Sequence, residues 1–174
     1  MRDTELALRF VAFKLRLPEY SGNLKTFLDK TTSLYNDQWE DNANDVEDAL
    51  KSLDSGIDAS LQIFGADAFR RFVDGRYESL FNRAVFDVQC LYLSAPSYAK
   101  LAMKNPKKVK RAFETLLTED PQFATAVTST TKSLGATFYR LEAWGKAFFN
   151  AIEIPAKLPF RQQDGRIGWG IELD

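Results

Sequence analysis

Apolar residues recur every three or four positions from residue 4 to about residue 152, and prolines, glycines and asparagines interrupt this spacing. Such spacing places apolar side chains along one face of a helix, and the interruptions mark helix ends. The chain is therefore predicted to be mainly α, a multi-helix orthogonal bundle. At this length one helical domain is expected, over residues 1–154, followed by an extended tail over 155–174.

Local signals predict where the first helices begin and end. A first helix should stop before Pro18, and a second should be entered through Ser21-Gly22-Asn23. A long third helix should end at Gly65, a residue that tolerates the left-handed conformation of a helix cap. Ser55-Gly56 is expected to kink this long helix.

Prolines organise the second half of the chain. A helical stripe that starts at Leu80 should stop at Pro96, and Asn105-Pro106 and Asp120-Pro121 each predict a new helix start, because a capping side chain precedes a proline at the first helical position. Thr128 to Thr131 are expected to cap the last long helix.

Two stretches depart from the helical pattern. In residues 71–80, Asp74-Gly75 lies between apolar and aromatic residues, which favours a short hairpin near 72–77 or a plain loop. In the tail, alternate residues are apolar from Ile167 to Leu173, which predicts a single strand or an irregular segment. That tail either packs on the helices or completes a sheet in another domain or subunit.

The chain of 174 residues contains no histidine and one cysteine, Cys90. It therefore cannot supply a Ser-His-Asp triad, a Cys-His dyad or a histidine-ligated zinc site from its own residues. Cys90 lies in an apolar run and is interpreted as a buried packing residue. A lone thiol and the lack of any apolar run near the roughly 18 residues that span a bilayer predict a soluble, cytoplasmic protein without a membrane partner.

The net charge of −1 is an average over two opposed patches. Residues 36–58 carry one lysine and eight acids, which are expected to form a solvated helix face; they lack the spacing of a calcium loop. These acids are Asp37, Glu40, Asp41, Asp45, Glu47, Asp48, Asp54 and Asp58. Residues 104–111 (KNPKKVKR) carry five bases and no acid at a predicted helix start.

Cations at the positive end of a helix oppose its dipole, and phosphate binding would account for them. Candidate nucleic-acid contacts are therefore predicted in this basic segment, with a plain solvated face as the alternative; they are Lys104, Lys107, Lys108, Lys110 and Arg111. Glu5 and Arg9, four positions apart on the first helix, are predicted to form an ion pair on its surface, or to fix an orientation if buried between domains.

Five segments occur in the same order as in one bacterial family: RDTELALRFVAF at residues 2–13, SGNLKTFLDK at 21–30, FGADAFRRF at 64–72, FNRAVFD at 81–87, and AVTSTTKS followed by Arg140 and Trp144. Over about 150 residues the chain resembles the helical C-terminal region of proteins whose N-terminal domain is ParB/sulfiredoxin-like. That family includes the GmrS half of the GmrSD modification-dependent restriction enzymes and related antiphage proteins.

The resemblance implies that the catalytic chemistry lies in a ParB-like domain, around an Asp-Gly-Gln-Gln-Arg motif that this chain lacks. Residues 161–166 hold similar residue types in another order, so no catalytic role is carried onto them. The chain is expected to be a fragment or one half of a split system, with no active site, metal or cofactor of its own. Its tail after Ile154 departs from the family pattern.

The resemblance also implies site residues. Arg2, Asp3, Glu5 and Arg9 are expected to face the ParB-like domain, supplied in cis or in trans. Arg70 and Arg140 are expected to add positive charge near a nucleic-acid path. The alternative is a structural role in caps, turns and inter-helix hydrogen bonds for all of these and for Gly65 and Asn82.

Three functional hypotheses follow from the sequence. The first is a noncatalytic accessory domain of a restriction or antiphage protein that docks a ParB-like domain and contacts DNA. The second is a helical protein–protein interaction module without a nucleic-acid role, for which self-association is one form. The third is a free-standing hydrolase that uses acidic residues and a metal; the absence of a glycine-rich phosphate loop, a G-x-S-x-G elbow and a paired CxxC leaves it no recognisable motif.

Overall fold

A computed structural model describes residues 2–129 and 132–170. Within these ranges the chain forms eight α-helices and two short antiparallel strand pairs, which confirms the prediction of a mainly α, multi-helix bundle. The helices are α1 (Arg2–Arg16), α2 (Leu24–Asp37), α3 (Trp39–Phe64), α4 (Arg83–Leu93), α5 (Pro96–Lys104), α6 (Pro106–Glu119), α7 (Pro121–Ala126) and α8 (Leu134–Ala151). The strands are β1 (Phe72–Val73), β2 (Arg76–Tyr77), β3 (Phe160–Arg161) and β4 (Ile167–Gly168).

Helix ends follow the local chemistry of the sequence at most boundaries. The Asn23 side chain accepts a hydrogen bond from the Thr26 amide at the start of α2, and Asp120 does the same for the Phe123 amide at the start of α7. Helix α3 ends at Gly65, as predicted, but with φ 60° and ψ −133° this glycine is not in the left-handed helical conformation that the sequence suggested.

Three predicted boundaries differ from the structure. Leu80 lies outside any helix, because α4 starts only after Asn82, whose side chain accepts from the Val85 amide. Pro96 follows α4 and is also the first residue of α5, a position whose backbone N–H would have no partner within the helix, so proline loses no hydrogen bond there. Ser133, and not Thr128, caps α8 by accepting from the Ala136 amide, while Thr130 and Thr131 lie outside the described residues.

Helix α4 is the centre of the bundle. Every residue from 84 to 93 is buried, and α1, α3, α5 and α8 all pack against it. Gly56 lets α3 approach closely, because a Cβ at this position would stand 2.9 Å from the carbonyl oxygen of Cys90. Gly56 therefore has a packing role between two helices, where the sequence predicted a kink.

Aromatic rings fill the space between α4, α6 and α8. Phe113 and Trp144 meet edge to face with ring centroids 5.1 Å apart, and Trp144 in turn contacts Phe148. Tyr92 touches both Phe148 and Phe149 and donates a hydrogen bond of 2.7 Å to the Leu141 carbonyl. These edge-to-face and tilted ring contacts join α8 to α4 and α6.

The predicted hairpin is present. Phe72 pairs with Tyr77 and Val73 with Arg76, around a two-residue turn in which Asp74 and Gly75 have φ values of 50° and 78°. Two successive residues with positive φ are typical of the turn that matches the twist of paired strands.

The tail finds a strand partner within the chain. Strand β3 pairs antiparallel with β4, and Ile167 is buried against the turn that follows α1. Trp169 fixes this hairpin by donating from Nε1 to the carbonyl of Phe13, 3.1 Å away. The tail thus packs on the helical domain as a hairpin, and Ile171 and Leu173 of the predicted strand lie outside the described residues.

None of the helices in the described ranges is both long and apolar enough to cross a lipid bilayer.

Candidate functional site: a basic cleft beside a buried arginine pair

Three charged side chains from three helices meet in the interior. Arg9 of α1, Asp87 of α4 and Arg140 of α8 are 4%, 3% and 1% exposed. Arg9 donates from Nε to Asp87 Oδ1 at 3.1 Å and from Nη2 to Oδ2, and Arg140 Nη2 lies 3.4 Å from the same Oδ2. One carboxylate is therefore shared by two guanidinium groups.

Burial and charge act in opposite directions on this group. Burial lowers the pKa of Arg140, and the nearby charge of Asp87 only partly opposes that effect. For Arg9 burial also acts to lower the pKa, but the charge and hydrogen bonds of Asp87 outweigh it and raise the pKa. Asp87 is thus the residue that makes two buried cations tolerable between α1, α4 and α8.

A cleft of about 440 Å³ opens beside Arg9. Its walls come from α1, the first part of α2, the start of α4 with the two residues before it, and residues Val127, Thr128 and Lys132. Four cations line it, Arg9, Lys25, Arg83 and Lys132, and Glu5 is the one carboxylate among the lining residues. This cleft therefore has a net positive charge, although its cations come from separate segments and do not form a basic run in the sequence.

Two helices start at this cleft. Leu24 and Lys25 are the first residues of α2, and Arg83 and Ala84 are the first residues of α4. Asn82 caps α4 and also donates from Nδ2 to the Val127 carbonyl at 2.8 Å, which links the end of α7 to the start of α4. Both positive helix ends therefore face the side of the molecule that carries the four cations.

The four residues expected to face a ParB-like domain have different environments. Asp3 is exposed and Glu5 is half-buried, whereas the Arg2 side chain lies outside the described part of the chain. The predicted Glu5–Arg9 pair is not formed, because Arg9 turns inward to Asp87 and Glu5 Oε1 lies 3.5 Å from Arg83 Nε. As a result Arg9 is a core residue that only borders the cleft.

A second, smaller pocket of about 360 Å³ adjoins the start of α1. It is lined by Asp3, Leu6, Leu80, Phe81 and Arg83. Leu80 is 75% exposed and Phe81 48%, and Leu80 is the most exposed of the large hydrophobic side chains in the described ranges. Asp3 therefore lies in the same pocket as these exposed apolar side chains, and Glu5 lies in the larger cleft, which Phe81 also lines.

The basic start of α6 is only partly free. Lys108 Nζ lies 2.5 Å from Glu153, and Lys110 Nζ lies 2.8 Å from Asp67 and 4.9 Å from the centre of the Tyr77 ring. Lys104, Lys107 and Arg111 are exposed and have no ion-pair partner among the described residues. Arg111 and Lys108 also line a groove of about 500 Å³ between α6 and α8.

The two remaining predicted nucleic-acid contacts lie elsewhere. Arg70 is half-buried in the turn before β1. Arg140 is buried against Asp87, so it cannot reach a nucleic-acid backbone, and that prediction was wrong. Arg140 instead links α8 to α4 through its ion pair with Asp87.

All eight acids of the segment 36–58 are exposed along the end of α2 and along α3, as predicted for a solvated face. Within the described ranges no three acidic or thiol groups come together in a way that could hold a metal ion.

Sequence reasoning missed Asp87, Lys25, Arg83 and Lys132. Asp87 did carry a signal, because it is the one charged residue in the apolar run that forms the centre of α4. The three cations carried none, since each stands alone in its own segment and only the fold brings them together.

A scan against protein-family models and searches of curated proteins and of solved structures found no match to this chain.

Proposed function

We propose that this chain is the noncatalytic helical domain of a restriction or antiphage-type protein, and that it docks a ParB-like domain, in cis or in trans, on the surface around the start of α1. The observation that carries the proposal is the exposure of Leu80 and Phe81 beside Asp3, Leu6 and Arg83. Exposed apolar side chains with charges at their edge are characteristic of protein interfaces. The order of the sequence segments supports the identity of the docked domain.

The docking surface can be tested with a single substitution. Leu80→Asp places a charge on a side chain that is already 75% exposed, so the fold should not be affected. Leu61→Asp on α3 is the control, because Leu61 is an exposed leucine (47%) that does not line this pocket. A separately produced ParB-like domain should bind the wild type and Leu61→Asp equally in calorimetry, and bind Leu80→Asp at least ten-fold more weakly. Equal binding by all three proteins, or no binding by any, would reject the proposal.

DNA contact by the start of α6 is the second element of the proposal. Lys104, Lys107 and Arg111 support it, since they are exposed and unpaired among the described residues. Lys108 and Lys110 contribute less, because Glu153 and Asp67 already partner them.

A salt titration with duplex DNA tests this element. Each lost phosphate contact should lower the slope of log K against log salt by about 0.9. The triple variant Lys104→Ala, Lys107→Ala, Arg111→Ala should therefore lose much of its slope, whereas a control triple of exposed bases, Lys30→Ala, Arg76→Ala, Lys100→Ala, should keep it. If the wild type does not bind duplex DNA even at low salt, the proposed contact between α6 and DNA is wrong.

The partnering of Lys108 and Lys110 favours a second candidate, a helical interaction module with no nucleic-acid role. In that case the Leu80→Asp variant would still lose its protein partner while the salt titration would show no DNA binding. Light scattering on the isolated chain would identify self-association as the interaction, if the molar mass exceeds that of one chain and returns to it in Leu80→Asp.

A further inference from the structure

We propose that the cleft lined by Arg9, Lys25, Arg83 and Lys132 binds a phosphate group, and that its ligand is a small phosphate-bearing molecule of the size of a mononucleotide. The inference goes beyond the docking role and does not depend on it. A volume of about 440 Å³ is within the range of small-ligand sites.

The charge of the cleft selects an anion. Four cationic side chains and one carboxylate line it, and that carboxylate, Glu5, is already 3.5 Å from Arg83. If Asp87 is counted as well, because it pairs with Arg9, four cations stand against two carboxylates, and the cleft keeps an excess of two positive charges. Lys25 and Lys132 are exposed, and neither has an ion-pair partner among the described residues.

Arg9 provides a fixed donor at this site. Its Nε and Nη2 are held by the two oxygens of Asp87, so the plane of the guanidinium is set before any ligand arrives. The third nitrogen, Nη1, donates no hydrogen bond within residues 2–129 and 132–170, and it is not among the fully buried atoms that lack a partner, so it keeps access to the cleft. A guanidinium donor held in a fixed orientation at the wall of a cleft is suited to an anion, because charge-assisted hydrogen bonds to phosphate oxygens are strong.

The backbone adds further donors. The Asn23 and Asn82 side chains accept from the amides of Thr26 and Val85, which leaves the amides of the first two residues of α2 and of α4 without an acceptor among the described residues. These residues line the cleft, and both helices have more than ten residues. Amides at a helix start stabilise phosphate oxygens through hydrogen bonds and the helix dipole.

The remaining walls suit a ligand larger than inorganic phosphate. Leu28 provides apolar surface, with the buried side chains of Leu24 and Val127 in the same wall, and the Phe81 ring at the edge is about half exposed. An aromatic face of this kind can stack on a nucleobase, and Thr128 offers a hydroxyl at the rim. We therefore expect a nucleotide to bind more tightly than phosphate alone.

The experiment is calorimetry on the full chain with inorganic phosphate, with adenosine monophosphate and with a short duplex DNA, at constant ionic strength set by chloride. The wild type should bind phosphate, and should bind the nucleotide more tightly. The double variant Lys25→Glu, Lys132→Glu changes two exposed side chains, so it should fold normally and bind both ligands at least ten-fold more weakly. Lys100→Glu on α5, exposed and away from the cleft, is the control and should bind as the wild type does.

Three outcomes would overturn the proposal. The first is no heat of binding with up to about 10 mM phosphate or nucleotide, since a site with this many donors should bind below that concentration. The second is equal loss of binding in Lys100→Glu and in the double variant, which would indicate a nonspecific charge effect. The third is binding of the duplex without binding of phosphate or nucleotide, which would assign the cleft to a nucleic-acid surface. The Leu80→Asp variant tests docking separately, because it changes neither Lys25 nor Lys132.

Discussion

Arg9 and Asp87 lie 78 positions apart in the chain, and their side chains form a two-point ion pair in the centre of the bundle. Arg140 approaches the same carboxylate from α8. Asp87 therefore determines how three helices are oriented, and it positions the arginine that borders the basic cleft.

Removing the charge of Asp87 should destabilise the fold strongly. Asp87→Asn leaves two buried guanidinium groups without their carboxylate, and breaking a buried pair in this way costs about 3–5 kcal/mol. The free energy of unfolding in urea, followed by circular dichroism, measures this loss. Asp48→Asn removes the partner of Lys51 on the exposed face of α3 and should cost less than about 1 kcal/mol. Equal effects of the two substitutions would contradict the role given to Asp87.

Alanine substitutions at Gly56 and at Gly135 should have opposite effects on the thermal stability of the fold. A Cβ at Gly56 would stand 2.9 Å from the Cys90 carbonyl oxygen and 3.3 Å from the Ser94 amide nitrogen, and neither backbone can move freely. At Gly135, by contrast, the nearest group is the end of the Arg161 side chain at 4.0 Å. Alanine gains up to about 1 kcal/mol over glycine within a helix. Thermal melts should therefore show Gly135→Ala as neutral or stabilised and Gly56→Ala as destabilised; a stabilised Gly56→Ala would refute the close approach of α3 and α4.

The hydrogen bond from Trp169 to Phe13 should contribute measurably to stability. Trp169→Phe keeps an aromatic ring but removes the donor, and a lost hydrogen bond of this kind costs about 1 kcal/mol. Trp39→Phe is the control, since Trp39 is half exposed at the start of α3. Urea midpoints should fall for Trp169→Phe only. Identical midpoints would mean that the tail hairpin is not held against α1 in solution.

The Tyr139 hydroxyl should lose its proton at a higher pH than an ordinary tyrosine does. Its hydroxyl donates to Asp120 Oδ2 at 2.7 Å, and this hydrogen bond to a carboxylate, together with burial, raises the pKa of Tyr139 to about 12. Because the folded state holds this proton more strongly than the unfolded chain, the contribution to stability is complete below pH of about 10 and is lost between about 10 and 12.

The ultraviolet difference titration between wild type and Tyr139→Phe isolates this hydroxyl from the other tyrosines. Asp120→Asn should bring the pKa of Tyr139 back toward its ordinary value while keeping a side chain that can cap α7. An unchanged titration in Asp120→Asn would show that the carboxylate is not the cause.

Cys90 should react only when the chain unfolds. It is buried in α4, and burial raises the pKa of its thiol well above the ordinary value, so little thiolate is available for attack. Labelling with a disulfide reagent should be negligible in buffer and should appear with urea at the same midpoint as the circular dichroism signal. Fast labelling in buffer would indicate that α3 and α4 separate locally.

The helix pattern was predictable because its signals are local. Asn23, Asp120 and Gly65 act on backbone groups within four residues of themselves, and the sequence alone is enough to locate them. Leu80 was misplaced for a related reason: its spacing to Ala84 fits a helix, but the Asn82 side chain caps α4 by accepting from the Val85 amide, so the helix begins only after Asn82.

The candidate site could not be predicted in the same way. The contacts of Arg9, Asp87 and Arg140 join segments 53 and 78 positions apart, and no local rule pairs such residues. Arg140 was expected near a nucleic-acid path because it follows one of the segments that carry the family resemblance, whereas the fold gives it a buried partner, Asp87. Lys25, Arg83 and Lys132 become one cleft only once α2, α4 and the loop before α8 are assembled.

The contact between Trp169 and Phe13 spans 156 positions, almost the whole described chain. During synthesis on a ribosome, α1 emerges before the hairpin that covers its end. The Phe13 carbonyl therefore has no Trp169 donor until the ribosome has passed residue 169, so this contact can form only after the helices between the two residues have been synthesised.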